Sequence, residues 1–150
     1  MMETPTATVH ASAVLTGARA TLIRGPAGSG KSRLALALID AARCGLLRFC
    51  RLIADDRVEL VACHGRLILR APATLAGLIE VRGTGIRRVA FEGAAVAGLV
   101  VDLDAADAER MPSPAALNVA IDGVRLPRLP VAAGADALAA VLATLRFEAT

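Results

Sequence analysis

The hydrophobic pattern of the first fifty residues predicts two strands followed by a helix. Residues 8–15 and 20–24 are mainly apolar and predict strands joined at a Thr16-Gly17 turn. From Lys31 the apolar positions take a helical period, with leucines and alanines around most of the helix, and Gly45 follows as the expected stop. A glycine-rich segment separates the second strand from this helix.

The rest of the chain alternates short apolar segments with turn residues, which predicts further strands and hairpins. His64-Gly65 and Asp122-Gly123 are typical of tight hairpin turns. Thr74 is a candidate helix cap, whereas Gly83 and Gly85 indicate an irregular loop. The predicted elements are a strand at 52–54, a hairpin at 58–63 and 66–70, a short helix at 74–79, a loop at 80–85, a strand at 97–102, a hairpin at 118–121 and 124–126, and a helix at 135–146.

Length and composition predict one domain that spans residues 1–150. Of the 150 residues, 55% are hydrophobic, which is enough to build a core. The uncharged runs are shorter than the about 20 apolar residues that span a bilayer, so no membrane segment is expected. Glu3 and the lack of a basic region before a hydrophobic stretch argue against a secretory signal. We therefore expect a cytoplasmic protein.

Charge and cysteine content argue against two further classes of protein. The net charge of +3 comes from 16 arginines and one lysine, without long basic runs and with almost no aromatic residues to stack on bases. Nucleic-acid binding is therefore not expected. Cys44, Cys50 and Cys63 are odd in number and lack CxxC spacing, so we expect buried free thiols rather than a disulfide framework or a zinc site.

The glycine-rich segment carries the clearest chemical signal. Residues 25–32 read GPAGSGKS and satisfy the phosphate-loop pattern GxxxxGK[ST], between a predicted strand and a predicted helix as that pattern requires. Its glycines allow backbone N–H groups to surround phosphate oxygens, and the positive end of the following helix favours an anion. Lys31, the only lysine, provides charge for the β- and γ-phosphates, and the Ser32 hydroxyl is a ligand for Mg²⁺. The candidate residues for binding ATP with Mg²⁺ are Gly25, Pro26, Ala27, Gly28, Ser29, Gly30, Lys31 and Ser32.

Asp55 and Asp56 follow the next predicted strand. In an open α/β sheet, the carboxyl ends of the strands face the ligand crevice, so these carboxylates are expected beside the phosphate loop. One can hold Mg²⁺ directly or through water, and the other can accept the proton of an attacking hydroxyl. Adjacent strand residues point to opposite sides, which favours a division of roles without saying which residue has which role.

Together these segments resemble the catalytic domain of the HPr kinase/phosphorylase family, bacterial enzymes that phosphorylate a serine of the small phosphocarrier protein HPr. The resemblance spans about residues 9–134. It rests on Val9-His10, the phosphate loop, Asp55-Asp56 and residues 79–86, whose sequence IEVRGTGI is similar to the family's EIRGxGI signature. The signature is the most discriminating part, because common phosphate-loop proteins lack it.

The resemblance implies both a fold and a set of site residues. The fold is an α/β phosphate-loop architecture like that of PEP carboxykinase, with a mixed sheet and a helix after the loop. The Asp55-Asp56 pair is similar to the family pair that contains the base for phosphorylation and the acid for dephosphorylation. By the same resemblance the catalytic residues are His10, Lys31, Asp55, Asp56 and Arg110, and the metal ligands are Ser32 and Glu80.

The activity that the resemblance implies is ATP-dependent phosphorylation of an HPr-like phosphocarrier of the phosphotransferase system. It also implies a hexamer, and the length predicts a form without the family's additional N-terminal domain. The family segment PVRPGRN, associated with dephosphorylation, is PVAAGAD here at residues 130–136. Because alanine cannot replace an arginine fork on phosphate, dephosphorylation is less expected than phosphorylation.

Two other functions fit the phosphate loop. A small-metabolite kinase would use the same loop with an arginine-lined acceptor pocket, for which Arg82, Arg87 and Arg88 are available. A regulatory module would bind ATP without transferring phosphate, and its output would not depend on Asp55 or Asp56.

Overall fold

A nine-stranded mixed sheet is the frame of the chain in the computed structural model, which describes residues 7–149. Two helices and a separate two-stranded sheet complete the described part, together with short 3₁₀ helices at Ala73–Leu75 and Pro114–Leu117. The strands are β1 Ala7–Val9, β2 Ser12–Thr16, β3 Arg19–Arg24, β4 Cys50–Ala54, β5 Val58–Cys63, β6 Arg66–Arg70, β7 Leu78–Val81, β8 Gly85–Arg88, β9 Ala94–Asp102, β10 Asn118–Ile121 and β11 Val124–Pro130, and the helices are α1 Lys31–Arg43 and α2 Ala137–Arg146.

The strand order brings the carboxyl ends of four strands to one edge. The main path is β1-β5-β6-β9-β3-β2-β4, and β11 joins it beside β9. Strands β3, β9 and β11 are parallel neighbours, and β2 is antiparallel to both β3 and β4. Hence β4 runs in the same direction as β3, and both end at the edge where the glycine-rich loop begins. The α/β class with a mixed sheet is confirmed.

The two faces of the sheet are covered in different ways. Helices α1 and α2 pack on one face through a core that includes Leu34, Leu38 and Val141. On the other face the sheet curls over itself, so that Leu22 of β3 shares a core with Leu69 of β6. The helical face is the one on which the loop before α1 rests.

Helix α1 ends as its sequence predicts. The N–H of Gly45 donates to the carbonyl of Ala42, and the N–H of Leu46 donates to the carbonyl of Ala41. Gly45 has a φ of 82°, which completes the paired hydrogen bonds of a glycine-stopped helix. The predicted hairpin turns at 64–65 and 122–123 are also confirmed.

The prediction of one strand over residues 8–15 is wrong. The chain changes partners at His10 and Ala11, because β1 pairs with β5 whereas β2 pairs with β3 and β4. This break places His10 between two strands rather than within one. A continuous apolar pattern does not reveal where a strand leaves one neighbour for another.

The prediction of a helix at 74–79 and a loop at 80–85 is also wrong. A 3₁₀ turn covers Ala73–Leu75, and the following residues form the β7–β8 hairpin, with Val81 opposite Gly85. Gly77 has a φ of 77°, and a Cβ there would lie 2.8 Å from the Phe91 ring, so the segment bends at Gly77 instead of continuing as a helix.

Among the described residues the cysteines are not joined in disulfides, but the expectation that all are buried is wrong. Cys44 is exposed, and Cys50 and Cys63 are partly buried. Burial raises the pKa of the Cys50 thiol to about 12, so it is a poor nucleophile at neutral pH.

Within residues 7–149 neither helix has the length and apolar character needed to cross a membrane. The first six residues, which bear on the secretory-signal prediction, lie outside the described range.

Four charged side chains join the parallel strands at the edge that carries the loop. Arg24, the last residue of β3, donates to both carboxylate oxygens of Asp102 at 2.7 and 2.8 Å. Arg128 of β11 donates to Asp102 and, with its two terminal nitrogens, to Asp107 at 2.8 and 3.0 Å. Because Arg24 directly precedes Gly25, this network fixes the base of the loop.

We expect Asp102→Asn to destabilise the fold by about 2 kcal/mol at neutral pH, because an amide cannot accept charge-assisted hydrogen bonds from two guanidinium groups. Partial burial raises the pKa of Asp102, but the hydrogen bonds and charges of Arg24 and Arg128 outweigh burial and lower it below its ordinary 3.8. The carboxylate therefore contributes stability above the unfolded pKa, and that contribution is lost as pH falls through the folded pKa.

Urea unfolding of wild type and Asp102→Asn at pH 7 and at pH 3 measures this effect. The difference in unfolding free energy should shrink at the lower pH. Asp104→Asn is the matched control, since Asp104 is exposed and forms no ion pair among the described residues. An equal difference at both pH values would contradict the assignment.

Candidate active site

The glycine-rich loop, residues 25–32, bends tightly between β3 and α1. At Gly25 a Cβ would lie 2.5 Å from Ser29 Oγ and 3.0 Å from Leu103 Cβ, so no larger residue fits there. Gly30 has a φ of 98° and begins the helix without a side-chain cap. The free N–H groups at the start of α1 therefore face the inside of the loop, where an anion can accept from them.

The Lys31 side chain folds back over this loop. It is 8% exposed, and its Nζ donates to the carbonyl oxygens of Gly25 at 2.9 Å and Pro26 at 3.1 Å. An ammonium group has three donors, so one remains for a phosphate oxygen. The loop thus holds its positive charge in place before any ligand arrives.

Asp55 joins three separate segments at the carboxyl end of β4. It is 5% exposed, and its Oδ1 accepts from Ser32 Oγ at 2.6 Å and from Ser12 Oγ at 2.8 Å. Its Oδ2 accepts from the backbone N–H of Glu80 at 3.0 Å. Because the Ser32 proton is engaged by Asp55, the oxygen lone pairs of Ser32 are free to bind a cation.

Ser12 is a site residue that the sequence did not reveal. It is fully buried at the start of β2, and 43 positions separate it from Asp55. Strand pairing brings the two together, since β2 lies beside β4 with Ala13 opposite Ala54. In the sequence it is a single serine within an otherwise mainly apolar predicted strand, and it has no spacing that predicts a partner.

Asp56 points away from Asp55 because the backbone turns sharply between them. The Arg57 N–H donates to the Asp55 carbonyl at 2.8 Å, and Asp56 has a φ of 69°. A non-glycine residue in this region is uncommon and is a strained arrangement often found at functional sites. The two carboxylates differ in exposure and in partners, but the predicted strand alternation is wrong as the reason, because β4 ends at Ala54 and a turn follows.

The Asp56 carboxylate lies against His10. Its Oδ1 is 2.5 Å from His10 Nε2, and the two side chains are 65% and 53% exposed. The strand break at His10 allows this contact, because the residue lies where the chain passes from β1 to β2. This polar pair is open to solvent and adjoins the buried Asp55 carboxylate, so it is accessible to a large substrate.

Glu80 contacts the site through its backbone N–H group. Its N–H binds Asp55, and its exposed side chain lies on β7 next to the turn at 82–84. Across residues 7–149 no group of three His, Cys, Asp or Glu side chains has the arrangement of a metal site. Mg²⁺ in kinase sites is commonly held by one or two protein groups together with phosphates and water, which agrees with a hydroxyl and a carboxylate as donors.

Arg110 has no hydrogen bond to another candidate residue in the described part of the chain. It is exposed, and it lines a groove with Val131 and Ala132 at the end of β11. In the described part of the chain, no hydrogen bond links it to Lys31 or Asp55. Its catalytic role stays a prediction from resemblance.

Comparisons with known proteins agree with this geometry. The family model described as HPr Serine kinase C-terminal domain matches residues 3–141. HPr kinase/phosphorylase from Clostridium tetani is 43% identical over 65 residues, which is 43% of this chain and 19% of that protein. The same protein from Clostridium beijerinckii gives the same values. The segment thus spans about a fifth of these curated relatives.

A solved structure extends the likeness to nearly the whole chain. The Hpr(Ser) kinase/phosphatase from Coxiella burnetii superposes with a TM-score of 0.73 and 26% sequence identity. The match covers 93% of this chain and 94% of that one. The expected phosphate-loop architecture is therefore confirmed at the level of the fold, and the chain belongs to the HPr serine kinase C-terminal domain family.

Proposed function

We propose that this chain is an ATP-dependent serine kinase that phosphorylates an HPr-like phosphocarrier protein. The observation that carries the proposal is the position of Asp55, which ties the phosphate loop to Glu80 while the next residue, Asp56, faces solvent with His10. The phosphate loop can bind the nucleotide phosphates, and the exposed Asp56 carboxylate can accept a proton. This arrangement suits transfer of a phosphoryl group to the side chain of another protein. The names of the relatives support HPr as the substrate class.

The nucleotide end of the site has its charges arranged in advance. Lys31 would offer its remaining donor to the β- and γ-phosphates, and the N–H groups of the loop would surround them. Ser32 and Glu80 would hold Mg²⁺, which supplies neutralising charge to the same phosphates when bound. Asp55 keeps the Ser32 hydroxyl oriented for this purpose. Positioning and electrostatic stabilisation are the main requirements of phosphoryl transfer.

The acceptor end of the site is the pair of Asp56 and His10. In the proposed step, the target serine hydroxyl gives its proton to the Asp56 carboxylate while its oxygen bonds to the γ-phosphorus. The bond from that phosphorus to the β–γ bridging oxygen breaks, and ADP leaves with the electron pair. His10 orients the Asp56 carboxylate through their contact and stabilises it. The geometry favours Asp56 over Asp55 as the base, because Asp55 is buried and already accepts three hydrogen bonds.

Dephosphorylation is proposed as the weaker activity of the chain. Ala132, Ala133 and Ala135 follow β11, and in the resembling family segment PVRPGRN the first and last of these positions are arginines and the middle one is proline. Methyl groups offer no charge to phosphate, so the binding of free phosphate in the reverse reaction would depend on the residues of the phosphate loop.

We also propose that the chain acts in the cytoplasm as a homo-oligomer on a protein substrate, with a hexamer as the expected form. Several large apolar side chains are exposed in the described part of the chain and are suited to a subunit interface. They include Ile86 at 71% exposure, Met111 at 80% and Phe147 at 67%.

Transfer of label from γ-labelled ATP to purified HPr tests the proposed function. We expect acid-stable phosphoserine on HPr in the presence of Mg²⁺, and no label on an HPr variant whose target serine is alanine. Label on a small acceptor but not on HPr would favour a metabolite kinase. ATP binding without any transfer would favour a sensing module, and either result would contradict the proposal.

A further inference from the structure

The three residues at the junction of β1 and β2 contact both aspartates of the site. His10 Nε2 lies 2.5 Å from the Asp56 carboxylate, and Ser12 Oγ donates to Oδ1 of Asp55 at 2.8 Å. Ala11, between them, is fully buried in the core on the curled face of the sheet. Packing therefore fixes this short segment, and its two polar side chains reach the nucleotide end and the acceptor end of the site.

A bulge in the pairing of β2 with β4 places Ser12 opposite Asp55. The register shifts by one residue between Ala13 and Val14, so β4 has one extra residue there and Ala13 lies opposite Ala54. Continued by one position, the shifted register sets Ser12 opposite Asp55, whereas without the shift Ser12 would face Ala54. Bulges redirect side chains and are frequent beside functional sites, which agrees with this position.

The Asp55 carboxylate is held by donors from three separate parts of the chain. Ser12 and Ser32 both donate to Oδ1 and so occupy the two lone pairs of that oxygen, and the Glu80 N–H donates to Oδ2. Ser32 belongs to the phosphate loop, and Glu80 belongs to the separate two-stranded sheet. Ser12 is fully buried on a strand of the main sheet. Its hydroxyl is therefore the donor that ties Asp55 to the core.

The orientation of the Asp55 carboxylate decides that of the Ser32 hydroxyl. Ser32 Oγ donates its one proton to Oδ1 at 2.6 Å, so the direction of its lone pairs follows from where Oδ1 lies. Rotation of the carboxylate about its Cβ–Cγ bond would break the buried hydrogen bond from Ser12, and a hydrogen bond to a charged group is costly to lose. Ser12 thus restricts the rotation that would turn the Ser32 oxygen away from a cation.

We propose that Ser12 is a positioning residue for the cation of the nucleotide, because it holds the Asp55 carboxylate that orients the Ser32 oxygen toward Mg²⁺. Ser12 acts through Asp55 and not by contact with the nucleotide. The inference rests on the proposed function, since it assumes that the site binds a nucleotide together with Mg²⁺. It also gives the bulge between β2 and β4 a role, which is to bring Ser12 to Asp55.

Calorimetric titration of Ser12→Ala with ATP, once with Mg²⁺ and once with EDTA, tests this role. The variant removes a single oxygen atom, and Asp55 keeps two of its three donors. The protein should therefore fold, which a thermal melt verifies. Thr21→Val is the matched control, because it removes a fully buried hydroxyl on β3 that contacts Thr16 rather than the site.

We expect Ser12→Ala to raise the Kd for MgATP by about fivefold and to leave the Kd for ATP in EDTA within about twofold. The Mg²⁺ concentration for half-maximal transfer should rise by about fivefold as well. Thr21→Val should change none of the three values. If all three stay near the wild-type values in Ser12→Ala, or if the two Kd values rise together, Ser12 does not position the cation and the proposal is wrong.

Combination with Asp55→Asn shows whether Ser12 acts through Asp55. In that background the Ser12 hydroxyl has no carboxylate to hold, so adding Ser12→Ala should change the Mg²⁺ requirement by less than about twofold. A further rise of about fivefold in the double variant would show that Ser12 acts independently and would contradict the proposal. If wild type binds no ATP in either condition, the proposed function fails and the role of Ser12 fails with it. Phosphoryl transfer by wild type with an unaffected Ser12→Ala variant would remove the role of Ser12 alone.

Discussion

Lys31→Ala is expected to lower ATP-dependent phosphoryl transfer by about 10³-fold while the protein remains folded. The substitution removes the only lysine of the chain from a loop that otherwise offers neutral N–H donors. It also leaves the carbonyl oxygens of Gly25 and Pro26 without their lysine donor, and water can replace that donor because Gly25 is partly exposed and Pro26 is exposed. Stability should therefore change little, because a solvated carbonyl has a substitute partner.

Initial rates of label transfer and a thermal melt of the same preparation measure the two effects. Arg33→Ala is the matched control: it removes a nearby positive charge from the exposed side of α1 and should retain most of the rate. A folded Lys31→Ala variant with wild-type turnover would show that the loop does not act on the transferred phosphate.

Asp56→Asn is expected to reduce the rate of transfer by about 10² to 10⁴-fold without weakening ATP binding. The amide keeps the shape of the side chain and tolerates the positive φ at this position, but it cannot take a proton from serine. Since Asp56 is exposed and contacts His10 rather than the loop, the affinity for MgATP should be unchanged.

Asp55→Asn should behave differently, and the contrast is the informative part of the experiment. An amide can place its NH₂ group against Ser12, Ser32 or the Glu80 N–H, each of which is already a donor to Asp55. The orientation of Ser32 is then lost, so the Mg²⁺ concentration needed for half-maximal rate should rise. Rate against Mg²⁺ and calorimetric binding of MgATP, measured for both variants, separate the roles. Loss of ATP binding in Asp56→Asn with an unchanged Mg²⁺ requirement in Asp55→Asn would reverse the assignment.

The phosphate loop was predictable because its function depends on local geometry. Glycines at fixed offsets, a lysine and a serine within eight consecutive residues specify the turn and its charges without help from the rest of the chain. Gly45 and Asp122-Gly123 were predictable for the same reason, since each ends or turns an element through its own backbone preference.

The segment at 74–88 was mispredicted because its conformation depends on distant partners. The pairing of β7 with β8 and the Phe91 ring against Gly77 exclude the helix that Thr74 and the following apolar residues suggested. This error matters for the site, since the hairpin is what presents the Glu80 backbone to Asp55.

The sequence by itself determined that a phosphate-binding turn precedes a helix, that an acidic pair follows the next buried strand, and that the family signature includes Glu80. Only the tertiary structure decided that Ser12 and Ser32 converge on Asp55 and that Asp56 turns away to His10. A local motif determines its own backbone conformation. Contacts between residues about 20 to 50 positions apart depend instead on strand order and register, and these are determined by the packing of the whole core.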